Sequence, residues 1–148
     1  MFPETKIRAV VASPRNTHVV SIRNIELRRP FSNEALVRVK AFSMNRGELN
    51  RAKNTTDSKM QIGWDIAGVV EMAAVDGSGP GVGTRVVGFS TRMEGWAELV
   101  SIPAKYLAPN PKNITEADTY IINMTDSEIR VPSLPPISVD SAHRKWIS

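Results

Sequence analysis

Apolar and charged side chains alternate along residues 35–44, ALVRVKAFSM: Val37, Val39 and Ala41 fall on one face of an extended chain, and Arg38 and Lys40 on the other. A period of two residues is the signature of a half-buried β-strand. Residues 6–13, KIRAVVAS, are rich in Val and Ile and run into SPRN, where Pro14 suits the second position of a turn. Residues 18–27, HVVSIRNIEL, mix β-branched and polar residues until RRPFSNEA breaks the run. Residues 64–74, WDIAGVVEMAA, read as a largely apolar strand interrupted by Gly68, and residues 85–89 and 95–103, RVVGF and GWAELVSIP, complete the set. Residues 45–53, NRGELNRAK, predict a short helix opened by Asn45 as its cap. Short strands at this spacing predict a mainly β domain, a small barrel or sandwich.

The pattern changes near Pro111. All nine glycines lie between Gly47 and Gly95. NITEAD predicts a further helix start, with Thr115 as cap and Asp118 three residues on. The proline-bearing remainder has no sustained period and predicts a poorly ordered tail.

Residues 76–89, DGSGPGVGTRVVGF, begin with glycine at alternate positions, Gly77 to Gly83. A dinucleotide-binding fingerprint needs G-x-G-x-x-G between a strand and a helix. The three registers place Val82, Thr84 and Val86 where the third glycine is required. No Gly-Lys-Ser/Thr follows, and the next element is a strand, so no helix N-terminus is available for a pyrophosphate. The stretch reads as a flexible connection between two strands, its glycines supplying positive φ angles.

At 148 residues the chain can bury a sizeable core as one domain. No apolar run approaches the ~20 residues of a membrane helix, so no membrane partner is expected. The N-terminal residues do not form a secretory signal, because Lys6, Arg8 and Arg15 hem in a short apolar run. The chain has no cysteine, which excludes disulfides, thiolate metal sites and a cysteine nucleophile, and a cytoplasmic setting is the default. The net charge is +4, but the basic residues are scattered among acids with no interleaved aromatics, so no nucleic acid is expected. His18, in an expected strand, and His143, in the tail, are the only histidines; they support neither a zinc site nor a serine–histidine–acid triad. Glu48 and Asp65 could pair as glycosidase-like carboxylates, but no spacing rule supports it.

Two segments carry more information. FSMNRGE places Asn45, Arg46 and Glu48 just after a strand end, and GWDIAG places Trp64 and Asp65 at the start of another. Polar groups at strand ends beside a large aromatic suit a ligand cleft. On spacing alone, an asparagine cap and a core-edge tryptophan are the stronger reading.

Taken in order, NEALVRVKAFSMNRGEL, GWDIAGVVE, GTRVVGF and GWAELVSIPAKYLAPNP resemble the N-terminal, GroES-like domain of the medium-chain dehydrogenase/reductase superfamily. The zinc-independent quinone oxidoreductase branch is the nearest, and the likeness runs from about residue 6 to about residue 117. The resemblance implies a GroES-like, partly open β-barrel with one or two short helices. It sets that domain at residues 1–112 and leaves residues 113–148 as a divergent tail. Family members continue into a Rossmann domain, absent here, so the chain looks truncated. Zinc-dependent relatives place a cysteine ligand where this chain has Asn45, and a histidine where it has Trp64, which implies no metal site. By the same resemblance Asn45 lies in the cleft near the nicotinamide of NADPH; Arg46, Glu48, Trp64 and Asp65 are the candidate substrate-cleft residues, and no catalytic residue is assigned. Hydrogen bonds would then polarise the carbonyl of a quinone or enone in place of a Lewis acid. The expectation is a fragment of an NADPH-dependent, zinc-free oxidoreductase, inactive alone and holding no NADPH tightly. The alternative is a non-enzymatic binding or assembly module that pairs with a partner chain supplying a nucleotide domain.

Overall fold

The computed structural model describes residues 6–15 and 17–112. The expected helix start at Thr115 and the expected poorly ordered tail lie outside these residues. Among the described residues seven strands and one α-helix follow in order: β1 (Lys6–Ala12), β2 (Val20–Glu26), β3 (Glu34–Phe42), α1 (Arg46–Asn54), β4 (Asp65–Met72), β5 (Arg85–Phe89), β6 (Leu99–Pro103) and β7 (Leu107–Pro109), with a 3-10 turn, Ala104–Tyr106, before β7. The architecture is mainly β, and its barrel is only partly open. β1 and β2 form an antiparallel pair, and the other five strands form an antiparallel sheet in the order β6-β3-β4-β5-β7.

The two sheets are joined through β1. Val10 donates its N–H to the Trp96 carbonyl and accepts from the Ile62 N–H, and Glu98 donates to the Arg8 carbonyl. Residues 60–62 and 96–98 thus stitch β1 to the larger sheet. Apolar clusters fill the space between. Val37, Ile66, Val70, Val86, Val100 and Ile102 pack inside the five-stranded sheet. Leu36, on the opposite face of β3 from Val37, packs with Ile7 of β1 and Leu99 of β6. Both faces of β3 are therefore covered at this end, and each such buried aliphatic side chain contributes about 1.5–3 kcal/mol. A third cluster, including Ala52, Ile62 and Trp96, lies beneath α1.

Several expectations are corrected. His18 lies outside the strand that was to include it, since β2 begins at Val20. Gly68 does not interrupt β4. A Cβ there would stand 2.2 Å from the Arg38 carbonyl oxygen, so glycine is what lets the central strands β3 and β4 close up. In residues 95–103 regular pairing begins only at Leu99, because Trp96 turns inward and Ala97 makes just an isolated bridge to Ala9. β7 has no signal in the sequence: three residues ending in proline are too short for a period.

The glycine stretch connects β4 to β5, and Gly77, Gly79 and Gly83 take positive φ. It is tied down as well. Asp76 donates its N–H to the Ser32 carbonyl, and Gly79 sits so close to Ala104 that an added Cβ would meet that residue's Cβ at 2.6 Å.

Candidate functional site

β3 ends at Phe42, and residues 43–45 carry the chain into α1. Asn45 is extended, with φ −112° and ψ 147°, and occupies the cap position. Its main-chain N–H donates to Glu48 Oε2 at 2.7 Å, the returning half of a capping box. The Glu48 N–H goes to the Asn45 main-chain carbonyl at 3.2 Å. Asn45 Oδ1 is left buried without a hydrogen-bond partner. The amide nitrogen serves a distant strand: Nδ2 donates to Asp65 Oδ2 at 2.9 Å, the first residue of β4. Asn45 thus starts the helix, as expected, and also joins two elements 20 residues apart.

Glu48 makes the second link. Its Oε1 accepts the Trp64 N–H at 2.6 Å, so one carboxylate holds the first turn of α1 to the entrance of β4. Ser43 makes the third, donating from Oγ to Asp65 Oδ2 at 3.0 Å. The Ser43 carbonyl in turn accepts from Trp96 Nε1 at 2.9 Å. The cluster is deeply set: Asn45, Glu48 and Asp65 are 3%, 0% and 5% exposed.

Burial sets the electrostatics. Removing Glu48 from water pushes its carboxyl up to about 7, against the pull of the two N–H groups it accepts, and the neighbouring Asp65 charge adds to the rise. Burial also raises Asp65, opposed by its bonds from Asn45 and Ser43. Ion pairs among the described residues include Arg8 with Glu98, Arg28 with Glu34 and Glu94, and Arg38 with Glu71. None reaches Glu48 or Asp65.

Aromatic rings frame the cluster. The Trp64 indole lies on the first turn of α1, where a Cβ on Gly47 would be 3.0 Å from Cη2 and Cζ3. Phe89 stacks against Trp64 with centroids 6.5 Å apart, and Phe42 stacks on Trp96 at 5.2 Å. Phe42 and Met44 are 43% and 58% exposed, on either side of the half-buried Ser43.

Of the residues singled out in the sequence, Asn45, Glu48, Trp64 and Asp65 come together. Arg46 is exposed at the first position of the helix and takes no part in the network. Ser43, Phe42, Phe89 and Trp96 were not singled out. The signal for Ser43 was its place one residue past a strand end, in the stretch that also holds Asn45.

The mainly β, partly open barrel is that of a GroES-like domain. Residues 32–112 match the alcohol dehydrogenase GroES-like domain family, more than half of the chain, and the chain belongs to that family. A comparison with curated proteins found no match. Among solved structures, the human synaptic vesicle membrane protein VAT-1 homolog-like protein is 24% identical, with a TM-score of 0.70 over 78% of this chain and 38% of that one. The quinone oxidoreductase of Coxiella burnetii is 15% identical, with a TM-score of 0.67 over 75% and 39% of the two chains. The Escherichia coli quinone oxidoreductase, solved in complex with NADPH, is 19% identical, with a TM-score of 0.62 over 74% and 35%. The chain thus spans well under half the length of the structures it matches. No helix among the described residues is long and apolar enough to cross a membrane.

Asn45 and Trp64 offer no thiolate or imidazole, and among the described residues no group of three or more His, Cys, Asp or Glu could hold a metal. The glycine stretch leads into β5 and not into a helix, so it offers no helix N-terminus to a pyrophosphate.

Proposed function

We propose that this chain is the substrate-side part of an NADPH-dependent, zinc-free oxidoreductase that reduces a quinone or an enone, and that it is inactive by itself. The observation that carries the reading is the family match over residues 32–112, together with the buried Asn45–Glu48–Asp65 cluster between Trp64 and Phe42. In this reading residues 1–112 form the GroES-like unit, and the remaining residues do not supply the nucleotide-binding part. The hydride comes from NADPH held by that other part. Asn45 stands on the cofactor side, Trp64 and Asp65 border the substrate, Glu48 fixes Asn45 and Trp64 by accepting their main-chain N–H groups, and Arg46 lies at the rim. The absence of cysteine supports a cytoplasmic setting.

A titration with duroquinone followed by amide NMR tests the substrate side. The account expects shifts confined to residues around Ser43, Asn45, Trp64 and Asp65. Shifts elsewhere, or none up to the solubility limit, contradict it.

A second reading has its own observation. Phe42 and Met44 are large apolar side chains exposed beside the cluster, as on a surface that another polypeptide covers. A binding or assembly module predicts no quinone shifts and a complex larger than a monomer in light scattering; a strict monomer that captures no partner counts against it.

A further inference from the structure

We propose that Ser43 and Asp65 form a proton-delivery pair, in which the Ser43 hydroxyl passes a proton from the buried Asp65 carboxyl to an oxyanion on a bound ligand. The inference rests on the reading that a carbonyl or phenolic ligand enters at this end of the barrel.

Three features of the geometry carry it. First, Ser43 Oγ lies 3.0 Å from Asp65 Oδ2, a distance that serves a proton moving in either direction. Second, Ser43 is half-buried between two exposed apolar residues, Phe42 and Met44, whereas Asp65 is buried. The hydroxyl is thus the polar end of the pair that a ligand on the apolar rim can reach. Third, among the described residues Asp65 has no cationic partner, and its ionisable neighbour is another buried acid, Glu48 on α1. Two buried carboxyls without a countercharge resist being ionised together, so Asp65 holds its proton more readily than an exposed aspartate does. Burial raises Asp65 in the same direction.

Asn45 completes the arrangement as a positioning residue. Its Nδ2 donates to the same Oδ2 that Ser43 contacts, at 2.9 Å, and so stabilises the carboxylate left after transfer. Its amide donors are engaged within the cluster, at Asp65 and more distantly at Ser43, so the Ser43 hydroxyl is the group placed to meet a ligand oxygen.

The step balances without any change of oxidation state. The Ser43 O–H bond breaks as an O–H bond forms on the ligand oxyanion. The Asp65 O–H bond breaks as its proton reaches Ser43 Oγ. Asp65 remains as carboxylate and regains a proton from water when the ligand leaves.

Two measurements test the pair. Carboxyl carbon NMR of the whole chain follows the Asp65 titration without any ligand. The expected result is a midpoint above the ~3.9 of a free aspartate, moved further up in S43A, which loses a donor to the anion, and restored in S43T. An Asp65 that titrates in the ordinary range, or that ignores S43A, overturns the proton pair itself. The second measurement uses 4-nitrophenol, whose colour reports its own protonation. Binding to the wild-type chain should raise its apparent pKa by about one unit, a tenfold change in protonation ratio. S43A should abolish that rise and S43T restore it. If 4-nitrophenol fails to bind, the ligand reading and the delivery step both fall, while the Asp65 titration still reports separately on the pair. If it binds with the same shift in S43A, delivery through Ser43 is overturned.

Discussion

Glu48 shows how one residue can hold a site together at a cost in stability. Both carboxylate oxygens accept main-chain N–H groups, from Asn45 and Trp64, yet the side chain is buried without a cation. Its carboxyl is raised from 4.5 to about 7. Between those values the folded chain holds a proton that the unfolded chain has released, so stability falls as pH rises through this window and levels off above it. The size is on the order of 3 kcal/mol at most, and the upward shift of Asp65 adds in the same direction. Urea denaturation at a series of pH values should show this decline. Glu48→Gln should flatten it, while costing about 1–3 kcal/mol at low pH because one main-chain N–H loses its acceptor. A wild-type chain equally stable from pH 4.5 to pH 7 would contradict the assignment.

At the scale of elements, the fold depends on close approaches that only certain positions make. Gly63 has φ +119°, and a Cβ there would lie 2.4 Å from the main-chain nitrogen and Cδ1 of Trp96. Gly63→Ala should destabilise by about 3 kcal/mol, from strain and overlap combined. Gly81 has open space around its Cα, and Gly81→Ala should change stability by less than about 0.5 kcal/mol. Chemical denaturation of the pair checks both, and equal effects would contradict the packing described.

The strands that alternate over five or more residues were legible in the sequence, since one buried face imposes the period. β3 is the clearest, through its alternation over residues 37–41. The start of residues 95–103 was not legible, because Trp96 turns in to donate to Ser43, a contact 53 residues away. The site was legible in its members and not in its wiring. Asn45 and Glu48 announce a helix start by their spacing of three. That the Asn45 amide serves Asp65, and that Ser43 joins the same oxygen, depends on the antiparallel pairing of β3 with β4, which places Phe42 opposite Ile66.

For the whole molecule, the chain belongs to the alcohol dehydrogenase GroES-like domain family and covers between 35% and 39% of the three solved structures compared above. The glycine stretch that first suggests a nucleotide loop is a strand connection anchored at Ser32 and Ala104. The described residues present a polar cluster, an aromatic frame and an exposed apolar rim, which the proposed function takes as one wall of a cleft. The measurement that tests this most directly is isothermal titration calorimetry of NADPH into the 148-residue chain. The account predicts no binding heat at micromolar concentrations of chain and cofactor; a one-to-one isotherm with a micromolar Kd would contradict it.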